Sequence, residues 1–170
     1  KVYKLWQNGE SVGIFQFESQ GMKNFMKELK PDCLEDIIAG VSLYRPGPMD
    51  QIPRYIANKK DPEHAVYTHP ALKPILEVTY GCMVYQEQVM QIVRDLAGYS
   101  LGRADLVRRA MGKKKLDVMA KEREIFIHGQ IDENGNIVVP GCIRNGIDEQ
   151  SANKIFDEMA EFAKYAFNKS

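Results

Sequence analysis

The sequence predicts a mainly α-helical, multi-helix chain with at most one small β-hairpin. Three observations carry that expectation. Apolar residues recur at i, i+3 and i+4 in segment after segment, as they do on the buried face of a helix. Serine or aspartate stands just ahead of several of those stripes, and proline or glycine just after them, where helices start and stop. One stretch, 131–137, carries the Asn-Gly signature of a tight hairpin.

The elements follow in order. Phe15 to Phe17 read as a short strand or an extended piece. Ser19 caps a helix whose Met22, Phe25, Met26 and Leu29 share one face, and Pro31 ends it. Asp32 and Glu35 stand at capping-box spacing with aspartate as the cap, ahead of the stripe Leu34, Ile37, Ile38 and Val41. Tyr44-Arg45-Pro46-Gly47-Pro48 must break that helix, because each proline removes a backbone donor and fixes φ. A short helix over Met49 to Asn58, a polar loop from Asn58 to His69 and a helix over Pro70 to Val78 come next, with Gly81 marking an end. Cys82 to Tyr85 is a strand or a loop. Val89, Ile92, Val93 and Leu96 define a helix, and Ser100 caps another whose Leu101, Ala104, Val107 and Met111 face inward until Gly112. Leu116 to His128 forms a helix with Met119, Ala120 and Ile127 inward. Asn134-Gly135 suits a type I′ turn in a hairpin over Ile131 to Ile137. Ala152, Ile155, Phe156, Met159 and Ala163 mark the last helix, for about six to eight in all.

The 170 residues suit one domain or one large subdomain, and a hydrophobic fraction of 44% excludes disorder over most of the length. Basic and acidic residues balance at 23 each. A dedicated nucleic-acid domain is usually basic overall, so local clustering must decide that question. Cys33, Cys82 and Cys142 form no CxxC pair, which points to reduced thiols in a cytoplasmic protein rather than to zinc or a disulfide framework. No signal peptide and no bilayer-length apolar run stands in the sequence. Lys1 and Ser170 read as cuts within a longer polypeptide.

Arg103 to Arg123 is the most charged stretch, with eight basic residues against three acidic ones. Arg108 and Arg109 lie about 100° apart on a helix and cannot both enter a core. With Lys113 and Lys114 after Gly112 they form a candidate polyphosphate clamp, since guanidinium forks match phosphate oxygens. The alternative is a solvated helix face on which Asp105 pairs Arg109 at i,i+4. Tyr44 and Arg45, held on a Pro-Gly-Pro turn, are a second candidate for presentation to a ligand, against the alternative of a plain helix breaker. His64, His69 and His128 lack metal-ligand spacing, and Glu18, Glu87 and Asp105 are isolated carboxylates. No aspartate pair suggests a two-metal site, so no catalytic residue and no metal ligand is assigned.

Five blocks, in order, carry a resemblance. They are Gly13-Ile14-Phe15-Gln16-Phe17-Glu18-Ser19 with Gly21-Met22-Lys23; Ser42-Leu43-Tyr44-Arg45-Pro46-Gly47-Pro48; Tyr80-Gly81 with Val84-Tyr85-Gln86-Glu87-Gln88-Val89-Met90; Leu96 to Gly102 leading through Ala104-Asp105 to Arg108-Arg109-Ala110-Met111-Gly112-Lys113-Lys114; and Phe167-Asn168-Lys169-Ser170. Together they resemble the fingers region of the C-family replicative DNA polymerases of bacteria, the family of the DNA polymerase III alpha subunit, in the type without an inserted exonuclease. The resemblance implies a domain that closes over an incoming deoxynucleoside triphosphate (dNTP). It implies that Arg108, Arg109, Lys113 and Lys114 approach the triphosphate, that Tyr44 and Arg45 lie near the nascent base pair, and that Lys169 positions template or nucleotide. It implies Mg²⁺ in the whole enzyme, held by palm aspartates upstream of Lys1, and hence an inactive fragment. The implied partners are dNTP, primer-template DNA, the palm and thumb of the same subunit, and other replisome subunits, with no membrane. Two departures stand out: an extra hairpin over Ile131 to Gly141, and Ala166 where many members have glycine. The competing readings are a nucleic-acid-binding module without catalysis, stacking bases on Tyr85 and Tyr99, and an interaction domain whose basic run is merely solvated.

Overall fold

The helix-spaced stripes become helices. A computed structural model of the chain describes residues 1–113 and 116–165. Lys114, Ala166 and Lys169 lie outside the described residues. Among the described residues there are nine α-helices and one two-stranded hairpin, the mainly α class that the sequence predicts, with more helices than the six to eight expected. The chain divides into two compact units: Lys1–Ala65 with Val78–Val84, and Val66–Glu77 with Tyr85–Ser170.

The first unit holds α1 (Val2–Asn8), α2 (Gln20–Leu29), α3 (Leu34–Leu43) and α4 (Ile52–Lys60). Ser19 caps α2 by accepting the Met22 N–H at 3.2 Å, and Met22, Phe25, Met26 and Leu29 are all buried. Gly40 lets α3 approach α2, since a Cβ there would stand 2.6 Å from Met26 Cε. Two expectations shift. Phe15 to Phe17 is a turn rather than a strand, pinned by the Ser11 hydroxyl donating to the Phe17 carbonyl and Gly13 N–H donating to Glu18. The cap of α3 is Cys33 rather than Asp32, because Asp36, one residue beyond Glu35, is the carboxylate that reaches back to the Asp32 N–H at 3.0 Å. That start leaves Leu34, expected inward, exposed. α1 has no buried residue and so leaves no stripe to read, although Trp6 packs on Phe17.

The second unit holds α5 (Lys73–Leu76), α6 (Gln86–Ala97), α7 (Leu101–Gly112), α8 (Leu116–His128), the hairpin strands β1 (Gln130–Ile131) and β2 (Ile137–Val139), and α9 (Glu149–Ala163). The helix expected over Pro70 to Val78 breaks into one α-turn between 3-10 turns. Pro74 explains the break, because it lacks the N–H a continuous helix would need there. Val89, Ile92, Val93 and Leu96 of α6, Ala104, Val107 and Met111 of α7, Phe126 and Ile127 of α8, and Ile155, Phe156 and Met159 of α9 fill the core. Phe126 and Phe156 meet at 5.7 Å between ring centres. Leu101 and Ala120, expected inward, are exposed. Behind the hairpin, Gly129 and Gly141 cross so closely that a Cβ on Gly141 would lie 2.3 Å from Gly129 N.

The hairpin turn is not type I′. Asp132 N–H donates to the Asn136 carbonyl and Gly135 N–H to the Asp132 carbonyl, so Glu133, Asn134 and Gly135 form a three-residue loop. Only Gly135 among them takes a positive φ, at 82°, whereas type I′ needs two. The Asp132 carboxylate decides the matter by accepting the N–H groups of Asn134 and Asn136 at 2.9 and 2.8 Å.

Candidate functional site

Helical spacing assembles the basic site of the second unit. One turn of α7 puts Asp105 at i,i+3 from Arg108 and i,i+4 from Arg109, and it pairs with both. Asp105 Oδ1 accepts Arg108 Nη2 at 2.7 Å and Nε at 3.1 Å, while Oδ2 faces Arg109 Nε at 2.8 Å. Arg108 Nη1 also donates to Gln86 Oε1, at the start of α6, at 2.9 Å. The two arginines therefore differ: the Arg108 side chain is 21% exposed and that of Arg109 63%. Hydrogen bonding from Arg108 holds the Asp105 carboxyl below its usual range, with the charge of both arginines adding to it. One carboxylate thus faces two guanidiniums.

The neighbouring cations are matched more fully. Arg103 Nη2 meets Glu122 Oε1 at 3.1 Å, the Arg103 guanidinium carbon lies 5.4 Å from the Tyr99 ring centre, and the Tyr99 hydroxyl donates to Glu122 Oε2 at 3.2 Å. Burial, then the charge of Glu122, pushes the Tyr99 hydroxyl far up, so it stays protonated. Arg123 pairs with Asp157 and lies over Phe156 at 4.7 Å. The local excess of positive charge includes Arg109 and Lys113, the exposed residue that follows α7.

Tyr44 and Arg45 belong to the first unit. Tyr44 follows the last residue of α3 and stacks on Phe25, with ring centres 5.9 Å apart. Its hydroxyl occupies the space a side chain on Gly21 would take, 1.8 Å from where the Cβ would be. Arg45 Nε donates to the Ser42 carbonyl at 3.0 Å, and burial pulls its guanidinium below the usual range. Both are half-buried on the turn that the prolines impose. Gly21→Ala is expected to cost about 1–3 kcal/mol by overpacking, and Tyr44→Phe in the same chain should recover part of it. Urea unfolding of the native chain and these two variants checks this.

Sequence reasoning missed two things. Gln86 lies 22 residues from Arg108, and no spacing rule connects them. In the first unit Lys59 Nζ lies 2.7 Å from Asp36 Oδ2 and 3.5 Å from Asp32 Oδ1, and donates to the Lys30 carbonyl. Asp32, Cys33 and Asp36 are close enough to share a metal ion. A thiol in the set and a lysine ammonium already on Asp36 do not fit Mg²⁺, which takes six oxygens in octahedral array.

The chain is similar to known proteins along its whole length. Residues 1–134 match the family described as bacterial DNA polymerase III alpha subunit finger domain. A DNA polymerase III subunit alpha from Rickettsia felis is 51% identical over 170 residues, covering 100% of this chain and 13% of the relative. Those of Chlamydia trachomatis and Pasteurella multocida are 51% and 50% identical, each over 99% of this chain. The chain thus spans about 13–14% of the length of these relatives.

Proposed function

This chain belongs to the finger-domain family of the bacterial DNA polymerase III alpha subunit, and from that premise we propose that it binds the triphosphate of an incoming dNTP during template-directed DNA synthesis. Arg108, Arg109 and Lys113 carry the phosphates, with Lys114 continuing the run. Tyr44, Arg45 and Lys169 are assigned to the nascent base pair and the DNA. The partners of this reading are primer-template DNA, the palm and thumb of the same subunit, and other replisome subunits, in the cytoplasm. Among the described residues no helix is long and apolar enough to cross a membrane.

The observation that carries the reading is the imbalance at Asp105, where one carboxylate meets two arginines. Phosphoryl transfer asks the protein mainly for positioning and charge neutralisation. An arginine that keeps nitrogens to spare beside a fixed neighbour supplies both. Mg²⁺ is the metal this chemistry uses, and we assign its ligands to carboxylates of the longer polypeptide, since the Asp32, Cys33 and Asp36 group does not suit it. The competing nucleic-acid module loses support, because Tyr85 and Tyr99, its stacking residues, are 2% and 4% exposed.

Two measurements test the reading. The 170-residue chain should not extend a primer with Mg²⁺ or without it, and template-dependent incorporation by a clean preparation would refute that. Arg109→Ala in the full-length polypeptide should weaken dNTP binding while leaving primed-template affinity in place. The opposite pattern favours the nucleic-acid module, and no change in either leaves a solvated helix face.

A further inference from the structure

Resting on the phosphate-clamp reading above, we infer that Asp105 is a positioning residue that divides the arginine pair into a fixed member, Arg108, and an exchangeable member, Arg109. The division follows from how the contacts fall. Arg108 makes three hydrogen bonds through three different nitrogens, two to Asp105 Oδ1 and one to Gln86 Oε1. Those bonds come from two helices, α7 and α6, so Arg108 cannot leave without breaking a tie between helices. Arg109 contacts Asp105 through Nε alone, and its two terminal nitrogens take no part in that contact.

A planar guanidinium binds phosphate best when two nitrogens face two oxygens. Arg109 can offer its terminal fork to a phosphate and keep, or surrender, the single Nε contact. Asp105 then has two effects. Its Oδ1 locks Arg108, and its Oδ2 restrains a long side chain that would otherwise lose rotamer freedom on binding. Part of the ordering cost of the clamp is thereby met before nucleotide arrives. Because the carboxylate is shared, its charge neutralises only one of the two arginines, and the site keeps net attraction for an anion.

The test uses the full-length polypeptide and single-nucleotide incorporation with each of the four dNTPs. Asp105→Asn keeps the shape and one carbonyl oxygen for Arg108 but removes the charge that holds Arg109. It is expected to raise KM for all four nucleotides by about three- to tenfold, with kcat changed much less. A merely structural role would not split KM from kcat in this way. In an Arg108→Ala/Arg109→Ala background the same substitution should have no further effect on KM, since contacting residues couple. A wild-type KM in folded Asp105→Asn, with KM raised in Arg109→Ala, would overturn the positioning role and leave the clamp standing. An undiminished Asp105→Asn effect in the double-alanine background would also overturn it. Wild-type KM in both Asp105→Asn and Arg109→Ala would instead remove the clamp reading itself.

Discussion

Arg109→Ala and Arg108→Ala, each placed in the full-length polypeptide, are expected to lower kcat/KM for all four deoxynucleotides alike. A charged hydrogen bond to phosphate is worth roughly 1.5–3 kcal/mol, so the fall should be on the order of ten- to a hundredfold. The four nucleotides should suffer equally because the triphosphate is common to them, whereas base identity is read by pairing with the template. The two variants should still be distinguishable. Arg109 has one recorded contact to Asp105, so its removal should leave the fold intact and act on nucleotide alone. Arg108 joins α7 to Gln86 of α6, and its removal should also lower the melting temperature. Lysine at either position should recover only part of the loss, because a point charge cannot reproduce the fork. Unchanged kcat/KM in both folded alanine variants would refute the clamp and leave Asp105 as the anchor of an ordinary solvated helix face.

How much of this was legible in the sequence depends on the range of each contact. Ser19 and Ser100 act within one turn, and each caps the helix expected of it, accepting N–H groups of Met22 and Arg103. The Asp105–Arg109 pair is also a one-turn contact, and i,i+4 spacing announces it. The same rule at i,i+3 could have found Asp105–Arg108. The α3 cap lies one residue beyond the Asp32 that the pattern suggests, because Asp36, which looks like any first-turn carboxylate, reaches back to the Asp32 N–H and is held by Lys59, 23 residues away. The hairpin falls where Asn-Gly predicts it, but its turn type depends on the Asp132 side chain, which outcompetes the preference of Asn-Gly. Gln86 was invisible for the same reason as Lys59: packing of separate helices, not local pattern, brings it to its partner.

That buried pair carries the largest stability effect expected in the first unit. Asp36 is 1% exposed and Lys59 11%, so Lys59→Met leaves a carboxylate in the interior without its cation. Breaking a buried pair from one side typically costs about 3–5 kcal/mol. Replacing both partners, as Lys59→Met with Asp36→Leu, should be close to neutral, because the desolvation that the pair must overcome disappears with it. The pH dependence separates this from simple loss of packing. In the native chain burial pushes the Asp36 carboxyl up, but hydrogen bonds from Lys59 and the Asp32 N–H outweigh it and hold it below the ordinary value. A depressed carboxyl contributes stability that is fully present above its unfolded value, about 3.9, and that is lost as pH falls through the lower folded one. In Lys59→Met only the Asp32 N–H remains to oppose burial, the carboxyl moves up, and the sign reverses: the variant should gain stability relative to the native chain as pH drops from neutrality toward 4. Urea unfolding of both chains at pH 7 and near pH 4 reads the difference. A loss at pH 7 of less than about 1 kcal/mol, the scale of an exposed pair, or a gap between the two chains that does not narrow in acid, would show that the Lys59–Asp36 contact is not what fastens α4 to α3.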